Sequence, residues 1–115
     1  MDKKDKINFF LGSILENIEA IENYIRDFDH KSFMESSLVQ DAVAKKLENI
    51  GEAVRAIPDD FKEKNDHIPW QDVADMRNFL IHKYFGIDAE EVWRTIKNDI
   101  PDFKTEISRL VNRKP

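Results

Sequence analysis

Residues 76–86, Met-Arg-Asn-Phe-Leu-Ile-His-Lys-Tyr-Phe-Gly, form the stretch that decides the fold. This run predicts one helix that begins shortly before it. Asp72 and Asp75 lie in the opening turns of that helix, where carboxylates suit the positive end of the helix dipole. Gly86 follows the run as a C-cap, with Ile87 placed for the hydrophobic contact that usually accompanies such a cap. We therefore expect a single central helix that ends before Gly86.

Apolar residues surround this predicted helix, so we expect neighbouring elements to enclose it on several sides. At about 100° per residue, Arg77 shares one side with Ile81 and Tyr84, whereas Asn78 and His82 share another. A charged Arg77 in apolar surroundings is unfavourable unless it is paired, exposed in a cleft or turned toward a partner. Its position therefore calls for a functional explanation.

Five runs of residues, taken in order along the chain, resemble the HepT-like ribonuclease family of the HEPN superfamily. They are Ile50-Gly51-Glu52-Ala53, Ile68-Pro69-Trp70, Met76-Arg77-Asn78, His82-Lys83-Tyr84-Phe85 and Val92-Trp93-Arg94-Thr95-Ile96. The signature of the superfamily is Arg, four residues, His, one residue and Tyr, and it is present as Arg77, His82 and Tyr84. The resemblance covers nearly the whole chain, most strongly residues 42–107. It implies an all-α fold, a HEPN-type antiparallel bundle of four main helices plus short helical pieces.

The composition is typical of one soluble helical domain spanning residues 1–115, with 36% charged and 41% hydrophobic residues. No Cys is present, so we expect no disulfide or thiolate metal site and a reducing, cytoplasmic location. Acidic residues among the first twenty argue against a signal peptide. We also expect no membrane span, because no apolar run approaches the roughly 20 residues required.

The net charge of −5 is unevenly distributed along the chain. Residues 1–69 hold 10 Lys and Arg against 15 Asp and Glu, whereas residues 70–115 hold 8 of each. Non-specific affinity for RNA depends on the phosphates that Lys and Arg neutralise. We therefore expect a chain that binds random RNA poorly and selects its substrate.

The first predicted helix runs from about Asp5 to Phe28, because its apolar residues alternate between steps of four and three. These residues are Ile7, Leu11, Ile14, Ile18, Ile21, Ile25 and Phe28. Phe9 and Phe10 precede most of this seam, and at least one of them must lie off it. That residue is available for a second contact, either within the chain or between chains.

The second predicted helix starts at Ser32 or Ser36, and it stops at Ile57 before Pro58. Its seam consists of Val39, Val43, Leu47, Ile50, Val54 and Ile57. Gly51 in the middle of a helix is unfavourable by close to 1 kcal/mol relative to Ala. We therefore expect a neighbouring helix to approach closely at Gly51.

Turn and capping residues predict the remaining elements. A short helical piece covers Phe61–Lys64, and Trp70 opens the central helix. The next helix begins at Asp88, with Glu91 in the position of a capping box. Pro101 then starts or kinks a last helix, and residues 113–115 form a frayed tail.

RNA can be cleaved without a metal because its own 2′-hydroxyl can attack the adjacent phosphate. The reaction needs a general base, a general acid and a cation for the charge that develops on the phosphoryl group. A histidine such as His82 can serve as a base or an acid near neutral pH, and Arg77 carries a permanent charge on a planar fork that fits phosphate. Asn78, one helical turn before His82, could orient the imidazole or hold a phosphate oxygen. Together with the resemblance, these residues predict a metal-independent endoribonuclease with Arg77 and His82 as catalytic residues.

Glu52 has two interpretations that the sequence leaves open. It is either a charge that faces solvent or the counter-ion of Arg77.

The motif supplies one His per chain, whereas the reaction needs both a base and an acid. His30 and His67 lie in predicted connections, and we expect both at the surface. A symmetric dimer would place two copies of the motif in one cleft. The resemblance implies the same arrangement, because HEPN ribonucleases commonly build their site across a homodimer.

Tyr84 is interpreted as a core residue with its hydroxyl at the rim and also as a target of modification. In the HepT-like family, a small partner nucleotidyltransferase, the antitoxin, adenylylates the Tyr of this motif. AMP so close to His82 would bring bulk and negative charge into a phosphate-binding cleft and exclude RNA. The resemblance thus implies a toxin that is neutralised at Tyr84. Lys83 departs from the acidic residue common at its position, which bears on contacts with substrate or antitoxin.

A second function is compatible with the same scaffold. The chain could be a catalytically idle HEPN subunit that docks a nucleotidyltransferase and presents a substrate to it. The intact set of Arg77, Asn78, His82 and Tyr84 favours the enzyme. We expect no metal site, because no His and carboxylate residues have ligand spacing, and no cofactor, because a Gly-rich phosphate loop is lacking.

Overall fold

The computed structural model describes residues 2–80 and 86–112, except for the side chains of Arg77 and Phe79. Every regular element within those ranges is helical, which confirms the predicted all-α class. The helices are α1 (Lys3–Tyr24), α2 (His30–Met34), α3 (Ser37–Ala56), α4 (Asp59–Lys64), α5 (Trp70–Ala74), α6 (Arg77–Leu80), α7 (Ala89–Arg94) and α8 (Ile100–Asn112). A π-helical segment, Thr95–Asp99, joins α7 to α8.

The long helices α1 and α3 form an antiparallel pair at the centre of the fold. The amide of Asn49 donates to the side-chain oxygen of Asn17 at 3.1 Å, so these two residues are level with each other. Lys3, which begins α1, pairs with Asp60 just beyond the end of α3, and this bond lowers the pKa of that carboxyl. The predicted seams are confirmed as buried at Leu11, Ile14, Ile18 and Ile21 on α1 and at Val43, Leu47, Ile50 and Val54 on α3.

Helix α1 ends at Tyr24, four residues before the predicted end at Phe28. The reason is a capping box that starts α2: the carboxylate of Asp29 accepts from the backbone N–H of Ser32 at 2.8 Å, and the Ser32 hydroxyl accepts from the N–H of Asp29 at 2.9 Å. The bond from the Ser32 N–H, with that from the Ser32 hydroxyl, holds the pKa of Asp29 below its ordinary value. The chain therefore turns before Asp29, and α2 buries Phe33 against the core.

Helix α3 begins after Ser36, whose hydroxyl accepts from the N–H of Val39 at 3.2 Å, so the second of the two predicted starts is confirmed. The predicted reason for Gly51 is also confirmed. A Cβ built on Gly51 would lie 3.6 Å from the carbonyl oxygens of both Val73 and Ala74. Helix α5 therefore crosses α3 with its backbone directly against this glycine.

The prediction of one central helix is wrong at Asp75 and Met76, which form a turn between α5 and α6. The Met76 N–H donates to the Val73 carbonyl at 3.2 Å, and the Asn78 N–H donates to the Asp75 carbonyl at 3.0 Å. These bonds span three residues instead of four, so the chain tightens here and buries Met76. Residues 81–85, which complete the predicted helix, lie outside the described residues.

The carboxyl-terminal helices follow most of the capping predictions. Gly86 has a φ of +83°, the conformation that favours glycine at a C-cap. The carboxylate of Asp88 accepts from the N–H of Glu91 at 3.1 Å and starts α7, while the Glu91 carboxylate pairs with Arg94 instead of completing a capping box. The last helix, α8, begins at Ile100, one residue before Pro101.

The π-helical segment has a local cause in Pro101. This residue has no backbone N–H, and its ring would collide with the carbonyl four residues earlier in a regular helix. The preceding turn widens, so the N–H of Ile100 donates to the carbonyl of Thr95, five residues back. Pro101 therefore shapes the junction of α7 and α8 instead of starting a separate helix.

The α5 helix is anchored through Trp70. Its ring nitrogen donates to the carbonyl of Asn65 at 3.1 Å, and its ring meets Phe103 of α8 edge to face, with centroids 6.0 Å apart. This anchoring ties the start of α5 to the core. Among the helices of the described ranges, none combines the length and the apolar character needed to cross a membrane.

Candidate active site

Arg77 and Asn78 are the first two residues of α6, immediately after the turn at Asp75 and Met76. Asn78 is exposed, and its backbone N–H is the group that closes the turn onto the Asp75 carbonyl at 3.0 Å. Met76 and Leu80 are buried on either side of this pair. The structure thus anchors α6 at both ends and leaves the Asn78 amide accessible to a ligand.

His82, Lys83 and Tyr84 lie outside the described residues, as does the side chain of Arg77. The structure therefore does not test whether these side chains meet in one site. The assignment of Arg77 and His82 as catalytic residues and of Tyr84 as the modified residue stays a prediction.

Arg55 is a residue near the motif that the sequence reasoning missed. Its guanidinium crosses from α3 to the end of α5 and donates to the carbonyl of Ala74 at 2.9 Å. That carbonyl belongs to the last turn of α5, where carbonyl groups lack helical partners and a cation is favourable. The spacing could have indicated this role, because Arg55 lies one helical turn after Gly51 and so shares its side of α3.

Glu52 lies on the outer side of α3, with 65% of its side chain exposed. Its carboxylate is 3.5 Å from the guanidinium of Arg55. This placement fits the interpretation of Glu52 as a charge that faces solvent. The other interpretation, a counter-ion of Arg77, stays a prediction because the Arg77 side chain is not described.

His30 and His67 are both at the surface, as predicted, and each pairs with a carboxylate. His30 lies 2.6 Å from Glu90 and joins α2 to α7, and its ring meets Trp93 edge to face. His67 lies 3.2 Å from Glu106 of α8. These contacts link elements of the bundle, so a structural role accounts for both histidines without a role in catalysis.

A cleft between α5 and α8 has a volume of about 590 Å³, and Met76 is one of the residues that line it. Four carboxylates line it, from Asp72, Asp99, Asp102 and Glu106. Arg109 is a cation in the lining, and it pairs with Glu106 at 2.8 Å. Phosphate groups would be repelled from such a lining.

The fold and the candidate site together define a class of protein: a helical bundle with an Arg-Asn pair at the start of a short helix, α6. The profile of the family described as Ribonuclease HepT-like matches residues 14–110, which include the whole motif. The chain belongs to the HepT-like ribonuclease family.

Several curated relatives are similar over nearly the whole chain. A protein of Thermococcus cleftensis named "Probable ribonuclease HepT" is 44% identical over 101 residues, which cover 88% of this chain and 92% of the relative. A Methanocaldococcus jannaschii protein provisionally named RNase MJ0125 is 43% identical over 111 residues, covering 96% and 95%.

One relative is a longer protein with two activities in its name. It comes from Methanocaldococcus jannaschii and is named a gamma-glutamylcyclotransferase and, provisionally, an RNase. It is 45% identical over 109 residues, which cover 95% of this chain but 49% of the relative. No solved structure matches the chain.

Proposed function

We propose that this chain is a metal-independent endoribonuclease and the toxin of a toxin–antitoxin pair. The observation that carries the proposal is the family match over residues 14–110, within which Arg77, Asn78, His82 and Tyr84 stand in unbroken order. Relatives of nearly the same length whose names assign them as ribonucleases support the same activity.

The proposed mechanism uses the 2′-hydroxyl of the RNA as the nucleophile. His82 accepts its proton, the oxygen attacks phosphorus, and the bond to the 5′-oxygen breaks. A second acid protonates that leaving oxygen, and the products carry a 2′,3′-cyclic phosphate and a 5′-hydroxyl. Arg77 binds the phosphoryl oxygens and stabilises the charge that develops there, while the exposed Asn78 amide holds a phosphate oxygen or the imidazole.

The second acid comes, in this proposal, from a second copy of the chain. The motif contributes one His, and the other two histidines of the chain already pair with Glu90 and Glu106 at the surface. A two-fold axis beside the motif would supply His82 twice, once as base and once as acid. We therefore propose a homodimer with a shared cleft.

Control is proposed to act at Tyr84. A partner nucleotidyltransferase would add AMP to its hydroxyl, which places a phosphate two residues from His82. That phosphate would bind Arg77 in place of a phosphate of the RNA, and its negative charge would repel the RNA strand.

Alanine substitution of the motif tests this proposed activity. His82→Ala should lower RNA cleavage by about 10²-fold or more, because proton transfer by a positioned side chain contributes about 10²–10⁴-fold. Arg77→Ala should lower it by about 10²–10³-fold, because it removes a donor to the charge that develops on the phosphoryl oxygens. His30→Ala and His67→Ala are matched controls and should retain cleavage. The measurement is the rate of cleavage of a labelled RNA, with helicity checked by circular dichroism. Folded Arg77→Ala and His82→Ala proteins that cleave at the wild-type rate would remove these residues from the site.

A further inference from the structure

The carbonyl of Ala74, in the last turn of α5, accepts a hydrogen bond from another helix. In an uninterrupted helix this carbonyl would accept from the backbone N–H of Asn78, four residues further on. That N–H donates instead to the carbonyl of Asp75 at 3.0 Å, and the Ala74 carbonyl accepts from the guanidinium of Arg55 at 2.9 Å. Arg55 of α3 therefore takes the place that Asn78 would have if α5 continued directly into α6.

This exchange of partners matters because Ala74 is buried, with only 6% of the residue exposed. A buried carbonyl without a partner is unfavourable, so each stable arrangement of the chain has to supply one. Without Arg55, the regular helical replacement is the N–H of Asn78, which reaches the Ala74 carbonyl only if α5 and α6 merge into one helix. Arg55 therefore favours two separate helices over one continuous helix.

The position of Arg55 on α3 suits a contact with the backbone of α5. That backbone lies directly against Gly51, where a Cβ would be 3.6 Å from the carbonyl oxygen of Ala74. Arg55 follows Gly51 by one helical turn, so it lies on the same side of α3. Its Nη2 binds the Ala74 carbonyl and its Nη1 lies 3.5 Å from the carboxylate of Glu52. Both ends of the guanidinium fork thus have partners within the chain, so Arg55 acts on α5 and not on a phosphate.

The hydrogen bonds within the segment do not distinguish one helix from two. The side-chain amide of Gln71 donates to the carboxylate of Asp75 at 2.9 Å, and the N–H of Asp75 donates to the Gln71 carbonyl at 2.9 Å. Both bonds join residues four apart, as they would in a continuous helix. The bond from Arg55 comes from a different helix and occupies the carbonyl that a continuous helix would use. This bond therefore selects the separated arrangement.

The break between α5 and α6 determines how the motif begins. Two bonds that span three residues close the turn, one from the N–H of Met76 and one from the N–H of Asn78. Such bonds belong to a helix with about 3.0 residues per turn, against about 3.6 in an α-helix, so they turn the chain by about 20° more per residue. Loss of the break would therefore rotate the backbone at Arg77 about the helix axis and move it relative to α3.

We infer that Arg55 is a positioning residue of the ribonuclease: it keeps α5 and α6 apart and thereby fixes the place of Arg77 at the start of α6. The inference rests on the proposed function, in which Arg77 binds the phosphoryl oxygens, and it adds a residue outside the motif. A displacement of about 1 Å in a catalytic site can lower a rate by about 10²-fold. The bond from Arg55 to the Ala74 carbonyl therefore contributes to cleavage, although Arg55 does not contact the RNA.

Arg55→Met tests this role, because it keeps the aliphatic stem and removes the donors. It should lower kcat for RNA cleavage by about tenfold or more and change KM by less than about threefold, since Arg77 stabilises charge that develops in the transition state. Arg55→Lys keeps a charged donor and should recover part of kcat. Lys62→Met is the matched control, because Lys62 donates to the Val54 carbonyl in the last turn of α3 at 3.1 Å, away from the motif. It should retain the wild-type kcat.

A double variant separates positioning from a general loss of stability. Because Arg55 acts through Arg77 in this inference, Arg55→Met should lower kcat by less than about twofold in the Arg77→Ala background. Equal factors in both backgrounds would mean that Arg55 acts independently of Arg77, and they would overturn the inference. A wild-type kcat in Arg55→Met, or an equal loss in Lys62→Met, would do the same.

Backbone ¹³Cα chemical shifts give a second readout that needs no RNA. In Arg55→Met the shifts of Asp75 and Met76 should move toward those of a continuous helix, whereas in Lys62→Met they should match the wild type. The side chain of Arg55 is 38% exposed, so the fold should survive, and circular dichroism checks it. If Arg55→Met does not fold, the same shifts in Arg55→Lys decide. A folded variant with wild-type shifts at Asp75 and Met76 would overturn the inference.

The two readouts distinguish this inference from the proposed function. A wild type that does not cleave RNA would refute the ribonuclease, whereas helical shifts at Asp75 in Arg55→Met would still assign the break to Arg55. A wild type that cleaves RNA, with kcat and shifts unchanged in Arg55→Met, would retain the ribonuclease and refute the role of Arg55.

Discussion

At the scale of single residues, Arg55 and Arg77 illustrate two different uses of the same side chain. Arg55 donates to the Ala74 carbonyl from a neighbouring helix, so its charge neutralises the end of α5. Arg77 begins the next helix, and the motif around it predicts contact with phosphate. The motif could be read from the sequence because its spacing is local. For Arg55 the sequence shows only that it shares the Gly51 side of α3, whereas its bond to the Ala74 carbonyl depends on how α5 crosses α3.

Tyr84 provides the prediction that belongs to this scale. Incubation with the cognate nucleotidyltransferase and ATP should add the mass of AMP to Tyr84, and RNA cleavage should stop. Tyr84→Phe keeps the aromatic ring but lacks the acceptor hydroxyl, so it should fold normally, cleave RNA and resist neutralisation. Mass spectrometry and a cleavage assay on both proteins provide the measurement.

Tyr24→Phe is the matched control, because Tyr24 is the other tyrosine of the chain and 38% exposed. It should still be neutralised. Modification of Tyr84 without any change in cleavage would favour the idle HEPN subunit that presents a substrate to its partner.

At the scale of elements, the sequence predicts a helix well where its two ends carry local signals. Helix α3 has Ser36 at its start, a regular apolar seam and Pro58 just beyond its end, and its predicted bounds agree with the structure. The turn at Asp75 and Met76 had no such signal. At this turn, α5 ends against Gly51 and Arg55 of α3. Such tertiary contacts leave no periodic pattern in the sequence.

The contact at Gly51 predicts opposite effects for two substitutions. Gly51→Ala should be tolerated and should raise the free energy of unfolding by up to about 1 kcal/mol, because the new Cβ meets α5 at an ordinary 3.6 Å and the helix gains propensity. Gly51→Val adds two further methyl groups against α5 and should lower it by about 1–3 kcal/mol. Urea denaturation measures both. Equal stability of the two variants would mean that α5 does not pack closely on α3.

At the scale of the whole molecule, the net charge of −5 has to be reconciled with an RNA substrate. The cleft between α5 and α8 contains four carboxylates, so part of the negative charge lies where the proposed substrate does not bind. The proposed two-fold assembly would place two Arg77 side chains in one cleft. The charge therefore favours selection of particular RNA strands over general affinity.

The composite site that we propose would explain why one His per chain suffices for a reaction that needs two proton transfers. The fold class and the family could be predicted from the sequence, because helical periodicity and motif order are properties of one chain.

The most direct test of metal-independent cleavage is to identify the ends of the RNA products made in the presence of excess EDTA. Cleavage by Arg77 and His82 should continue at an unchanged rate and leave a 2′,3′-cyclic phosphate and a 5′-hydroxyl, detected by mass spectrometry of the fragments. Loss of cleavage in EDTA that a divalent ion restores, or products with a 5′-phosphate, would contradict the proposed mechanism.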